Sequence, residues 1–150
     1  MVPTLAIREK AMQLLAADAT TLAPAQDPPT ICLIKTNFTP AESLTVSDIT
    51  LADFGGSTPI PCATGTQNEG LDPATNNAVI SMRGPIGGFR FETTNTANLP
   101  QTIFGFCLTN SNQTVLYGAA TFDAPVELTT VNQFVDVENA DFTQLAGSIE

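Results

Sequence analysis

The side chains best suited by type to do chemistry are three cysteines, Cys32, Cys62 and Cys107, and fifteen carboxylates, because the chain contains no histidine. Without histidine, the commonest general base and metal ligand near neutral pH is missing. A Ser-His-Asp or Cys-His arrangement is therefore impossible, and a zinc site would lack ligands. The cysteines are widely spaced, odd in number and free of any C-x-x-C pair, and Cys32 and Cys107 sit inside apolar runs. That pattern predicts buried free thiols in a reducing compartment, with a disulfide between two of them as the alternative.

The carboxylates offer less. Asp136, Glu138 and Asp141 cluster near the C-terminus and could supply oxygen ligands to Ca²⁺, but their spacing departs from the calcium-loop pattern and lacks its central glycine. A solvated acidic segment is predicted instead. Asp53-Phe54-Gly55 matches the magnesium-binding triplet of protein kinases, yet the glycine-rich loop, strand lysine and catalytic loop are all missing. The match is read as chance. Carboxylate pairs for glycoside hydrolysis depend on spatial proximity, which sequence does not show. Rings for sugar stacking are few, with one tyrosine and no tryptophan. The sequons at Asn37 and Asn112 are expected by chance in a chain rich in Thr and Asn. No catalytic, cofactor-binding or metal-ligating residue is predicted, and the chain reads as a non-enzyme.

The elements that carry these residues are mostly strands. Residues 101–109 and 114–122 read as two strands joined by a polar turn at 110–113. Alternation puts Phe104, Phe106 and Leu108 on one face and Ile103, Gly105 and Cys107 on the other, so both faces should be covered. Further strands are predicted at 31–34, 60–64, 78–82, 89–93, 126–129 and 134–137. The Gly, Pro and Asn clusters at 65–70, 72–77 and 84–88 are read as turns. Residues 47–54 suit a short helical turn. Short strands at regular spacing predict a mainly β fold, an antiparallel β-sandwich or barrel.

One segment has helical periodicity. In 4–17, Ile7, Ala11, Leu14 and Leu15 recur on one face, opposite Arg8, Glu9, Lys10 and Gln13. Pro24, Pro28 and Pro29 stiffen the connector that follows. The chain thus divides into an N-terminal helix and Pro-rich arm (1–29) and a β domain (30–150). Ile7, Ala11, Leu14 and Leu15 are the predicted partner interface, docking either on the protein's own sheet or on a neighbouring subunit.

Composition narrows the partners. The net charge is −10, from 15 acids and 5 bases, and the bases are scattered. Nucleic acid and anionic membranes both need clustered Lys and Arg, so neither is an expected partner. Only 13% of residues are charged against 43% hydrophobic, about half the usual share of ~25%. A surface so low in charge favours burial against other proteins. No apolar run is long enough to span a bilayer, and the first ten residues do not resemble a signal peptide.

Two segments carry a family likeness. The first runs from Ile31 through Asn37-Phe38-Thr39-Pro40 to Ala52-Asp53-Phe54-Gly55. The second runs from Leu99-Pro100-Gln101 through Ile103-Phe104-Gly105-Phe106 to Tyr117-Gly118 and Phe122-Asp123-Ala124-Pro125-Val126. Together they resemble small virion structural proteins of tailed bacteriophages and related prophages. The resemblance implies a capsid cement or decoration protein that stabilises the head by binding across capsomers. Its implied partners are the major capsid protein and further copies of itself, in a virion assembled in the host cytoplasm. Cement proteins act by multivalency, many modest contacts summing over a shell. A tail or baseplate component, or a receptor- or carbohydrate-binding module, shares these sequence properties.

Overall fold

Residues Thr30–Ile34 are buried on both faces, and the rest of the described fold is arranged around them. The computed structural model describes residues 2–3, 29–62, 67–71, 78–83, 88–137 and 139–144. Within these the chain forms β1 (Val2–Pro3), β2 (Thr30–Ile34), β3 (Ile60–Pro61), β4 (Gln67–Leu71) and β5 (Ala78–Arg83). It continues with β6 (Phe89–Glu92), β7 (Gln101–Thr109), β8 (Leu116–Leu128), β9 (Phe134–Val137) and β10 (Asn139–Gln144). A five-stranded sheet has the order β1-β8-β7-β2-β3, a three-stranded sheet has the order β10-β5-β4, and β6 pairs with β9 as a ribbon. Every pairing is antiparallel. The protein is mainly β, as its strand pattern predicts.

The expected hairpin is present, with one substantial change. Ile103 faces Val126 but Gly105 faces Thr121, so residues 122–125 of β8 stand opposite Phe104 alone. A second irregularity lies between Leu108 and Thr109. Because side chains alternate with period two, such a bulge reverses which face the following residues occupy. Ile103 shares a core cluster with Leu33 and Leu108, while Cys107 lies in a second cluster with Cys32 and Ile34. The simple alternation had placed Ile103 and Cys107 on one face, and the structure divides them between the two clusters.

The first cluster joins the five-stranded sheet to the ribbon. Phe89 and Phe91 of β6 and Val135 and Val137 of β9 pack with Ile31 and Leu33. Arg90 and Glu92 point outward, alternating with the buried Phe89 and Phe91. The second cluster is capped by the segment after β2, with Phe38, Leu44, Val46 and Leu51 packed against it. Here only Val46–Asp48 winds into a 3-10 turn, started by the Thr45 amide donating to Asp48 Oδ2 at 2.8 Å. The helical turn expected over 47–54 is thus shorter and earlier. Leu51 instead bridges to Ile34, extending the sheet edge.

Two strands fall where turns or solvated chain were expected. Gln67–Leu71 overlaps the Gly- and Asn-containing stretch read as a turn, and Asn139–Gln144 overlaps the acidic tail. Both pair with β5, which supplies backbone partners that local propensity does not register. The helix expected at 4–17 lies outside the described residues. Val2–Pro3, just before it, pair with Gly118 and Ala119 of β8, so the chain start is tied to its own sheet.

Three substitutions test this packing. Phe91 is fully buried, so Phe91→Ala should cost about 3–5 kcal/mol in chemical denaturation. Phe106, half-buried beside Phe122 at a ring distance of 5.8 Å, should cost less. Gly105→Ala should destabilise by about 1–3 kcal/mol, because a Cβ there collides with the Ala120 carbonyl oxygen and lies 2.9 Å from Thr121 Cα. An unchanged denaturation midpoint for Gly105→Ala would contradict the register at the bulge.

Candidate functional site

The β2–β7 register sets Thr30 opposite Thr109 and Cys32 opposite Cys107. A buried polar strip results. Thr30 Oγ1 donates to the Asn110 carbonyl at 3.2 Å and lies 3.0 Å from Thr109 Oγ1. With the Thr30 proton directed to Asn110, the Thr109 hydroxyl donates to Thr30 Oγ1, and Thr109 Oγ1 also lies 3.6 Å from Cys32 Sγ. The Asn110 side chain fixes the adjoining turn, its Oδ1 accepting from the amides of Thr114 and Val115 at 2.8 and 2.9 Å.

The three thiols are free and buried, as predicted, but they are not equivalent. Cys32 accepts a hydrogen bond from Cys107, and this together with the Thr109 and Thr30 hydroxyls outweighs burial and brings it down to about 7. Cys107 is the donor of the pair and is held well above the usual thiol range, first by that hydrogen bond and then by burial. Cys62 lies in the other core cluster, where burial pushes it up to about 12.

The outer edge of β2 is covered on either side of Cys32. β3 pairs with Thr30 and Ile31, while the Ala52 amide donates to the Leu33 carbonyl at 2.9 Å. A cleft of about 280 Å³ lies here, lined by Cys32 and Leu33 of β2, Leu51 and Ala52, Ser57 to Pro59, and Gln113. Its volume suits a small solute.

The Asp53-Phe54-Gly55 triplet is a structural brace. Phe54 is buried in the first core cluster. Asp53 pairs with Lys35 Nζ at 2.7 Å and accepts from Gln101 Nε2 at 2.6 Å, while its carbonyl accepts from Asn98 Nδ2 at 2.8 Å. The Gly55 carbonyl takes the Thr94 amide at 2.8 Å. These bonds tie the loop after β2 to the residues that lead into β7.

On the outer face of the ribbon, Arg90 and Asp136 stand opposite each other and form two parallel hydrogen bonds, each 2.8 Å. The Arg90 guanidinium also covers the Phe134 ring at 4.3 Å from its centroid. Phe134 is 53% exposed, an uncommon position for a large apolar ring. Its strand is held by Thr93, whose hydroxyl donates to the Thr130 carbonyl at 2.8 Å and whose amide donates to the Gln133 carbonyl at 2.8 Å.

Asp136 is therefore engaged by a cation, although the sequence grouped it with Glu138 and Asp141. Among the described residues no three acidic or cysteine side chains are placed to hold a metal ion. The predicted interface residues Ile7, Ala11, Leu14 and Leu15 lie outside the described residues. Sequence reasoning missed the Cys32–Cys107 juxtaposition, since 75 positions separate the two, and the Phe134 surface; alternation around Arg90 was the available hint for the latter. No helix among the described residues is long and apolar enough to cross a membrane. Compared with known proteins, the chain matches no family model, no curated protein and no solved structure. The functional reading therefore rests on these residues.

Two outcomes follow from the site. Asp53 and Asp136 are held below the usual carboxylate value of 3.8, chiefly by hydrogen bonds from Lys35 and Arg90 respectively. A depressed carboxyl stabilises the fold above its unfolded value, and that contribution is lost as pH falls through the folded value. The melting temperature should thus drop on acidification below about pH 4, and Asp53→Asn should be less stable at neutral pH with a shallower drop. Ellman's reagent, far bulkier than peroxide, should find no thiol it can reach in the folded protein and three after unfolding without reductant. A single thiol on unfolding would reveal a pre-existing disulfide.

Proposed function

We propose that this chain is a non-enzymatic structural protein of a tailed-phage particle, a cement or decoration protein that binds the major capsid protein across capsomers of the head. The observation that carries the reading is the exposed Phe134 ring, capped by Arg90 and locked by Asp136. Aromatic and arginine side chains dominate binding hot spots, and a pre-ordered one costs little entropy on docking. Thr93 fixes the chain beside Phe134 through its bonds to Thr130 and Gln133, giving the stiffness a cement protein needs. In this reading the five-stranded sheet and the ribbon are the two layers of a β-sandwich, and Ile7, Ala11, Leu14 and Leu15 contact a neighbouring copy. Many such contacts over a shell convert modest interfaces into high avidity.

A carbohydrate-binding module would also expose a ring, but Arg90 already covers one face of Phe134, which leaves less surface for stacking on a sugar. The test is add-back to head shells that lack the protein. Phe134→Ala should retain the wild-type circular dichroism spectrum and weaken shell binding at least about tenfold. Arg90→Ala should weaken it in the same direction. Wild-type binding by Phe134→Ala would remove this surface from the reading. Binding to tail structures rather than heads would favour a tail or baseplate role.

A further inference from the structure

We propose that Cys32 and Cys107 form a peroxide-reactive dithiol that closes into a disulfide between β2 and β7, with the cleft beside Cys32 as the entry for hydrogen peroxide. The inference is independent of the particle role.

The geometry comes from the sheet. Residues directly opposite in an antiparallel pair have Cα atoms about 4.5–5.5 Å apart, within the span of about 4.4–6.8 Å that a disulfide bridges. Cys32 and Cys107 are such a pair. Closing the bond therefore needs side-chain rotation and little movement of the strands. Access is asymmetric. Cys32, 2% exposed, is among the residues that line the cleft, whereas Cys107, 0% exposed, is not. The cleft walls offer Ser57, Thr58 and Gln113, polar side chains compatible with a small hydrophilic oxidant.

The Cys107 and Thr109 side chains beside Cys32 favour its thiolate, the nucleophilic form. Its sulfur attacks one peroxide oxygen, the S–O bond forms, and the O–O bond breaks to release hydroxide. The Cys107 thiol gives its proton to that hydroxide, making water. The Cys107 sulfur then attacks the Cys32 sulfenic acid, the S–S bond forms, and the S–O bond breaks, releasing a second hydroxide that is protonated from solvent. Two electrons from the two sulfurs reduce one peroxide to two waters. Cys62 stays out, because it lies in the other core cluster and burial keeps it protonated.

Peptide mapping tests the pairing. Cleavage after Lys10, Lys35, Arg83 and Arg90 puts the three cysteines on separate peptides, 11–35, 36–83 and 91–150. The folded full-length protein is treated with hydrogen peroxide, alkylated in denaturant and digested with trypsin. The expected result is a fall from three free thiols to one, with 11–35 linked to 91–150 and Cys62 alkylated. Dithiothreitol should restore all three. Cys62→Ala should form the same link. Cys107→Ser should stop at a sulfenic acid on Cys32 that dimedone traps, and the wild-type map decides the matter should that variant not fold. A link involving Cys62, a sulfinic acid on Cys32 without the link, a link between chains, or no change in thiol count would each overturn the proposal.

Discussion

The antiparallel pairing of Thr30–Ile34 with Gly105–Thr109 is the contact on which the described structure depends. β2 is buried on both faces, so each residue in it is committed to one of two cores. Ile31 and Leu33 face the ribbon, while Cys32 and Ile34 face the segment that follows β2. A slip of one residue would exchange the two sets and bury Thr30 and Cys32 among the phenylalanines. Register is thus enforced by side-chain volume on both sides at once. The hydroxyl contact between Thr30 and Thr109 adds a polar check at one end of the strand pair.

Polar side chains near the core are paired within the fold. No buried side-chain nitrogen or oxygen among the described residues lacks a partner. Gln101 illustrates the economy, donating to Asp53 and accepting from the Asp53 amide, and so joining the loop after β2 to the start of β7. Thr93 does the same for the far end of the ribbon, accepting the Gln133 amide at 2.9 Å while donating to the Thr130 carbonyl. Such fully satisfied networks rigidify a small domain and specify one arrangement of its loops.

How much of this was visible in the residues depends on the range of the interaction. The strands at 31–34, 89–93 and 134–137 were legible because their apolar residues are contiguous or alternate locally. The 101–122 hairpin was legible because a polar turn separates two apolar runs. Its bulge was not, since Phe122, Asp123, Ala124 and Pro125 differ little in pattern from ordinary strand, and only the partner register reveals the extra length. β4 and β10 were hidden for a related reason: their pairing partner, not their own composition, makes them strands. At the site, the free and buried state of the thiols was legible from their apolar neighbours. Their facing positions, and the capture of Asp136 by Arg90, arise from pairings between distant segments that no local window contains.

The ion pairs at Lys35–Asp53 and Arg90–Asp136 have a colloidal consequence. Two of the chain's five cationic side chains are spoken for within their own molecule, against a net charge of −10. With a net charge of −10, copies repel one another once they approach within a screening length of about 8–10 Å at physiological salt. Crowding copies side by side requires either added salt or a positively charged scaffold that offsets their mutual repulsion.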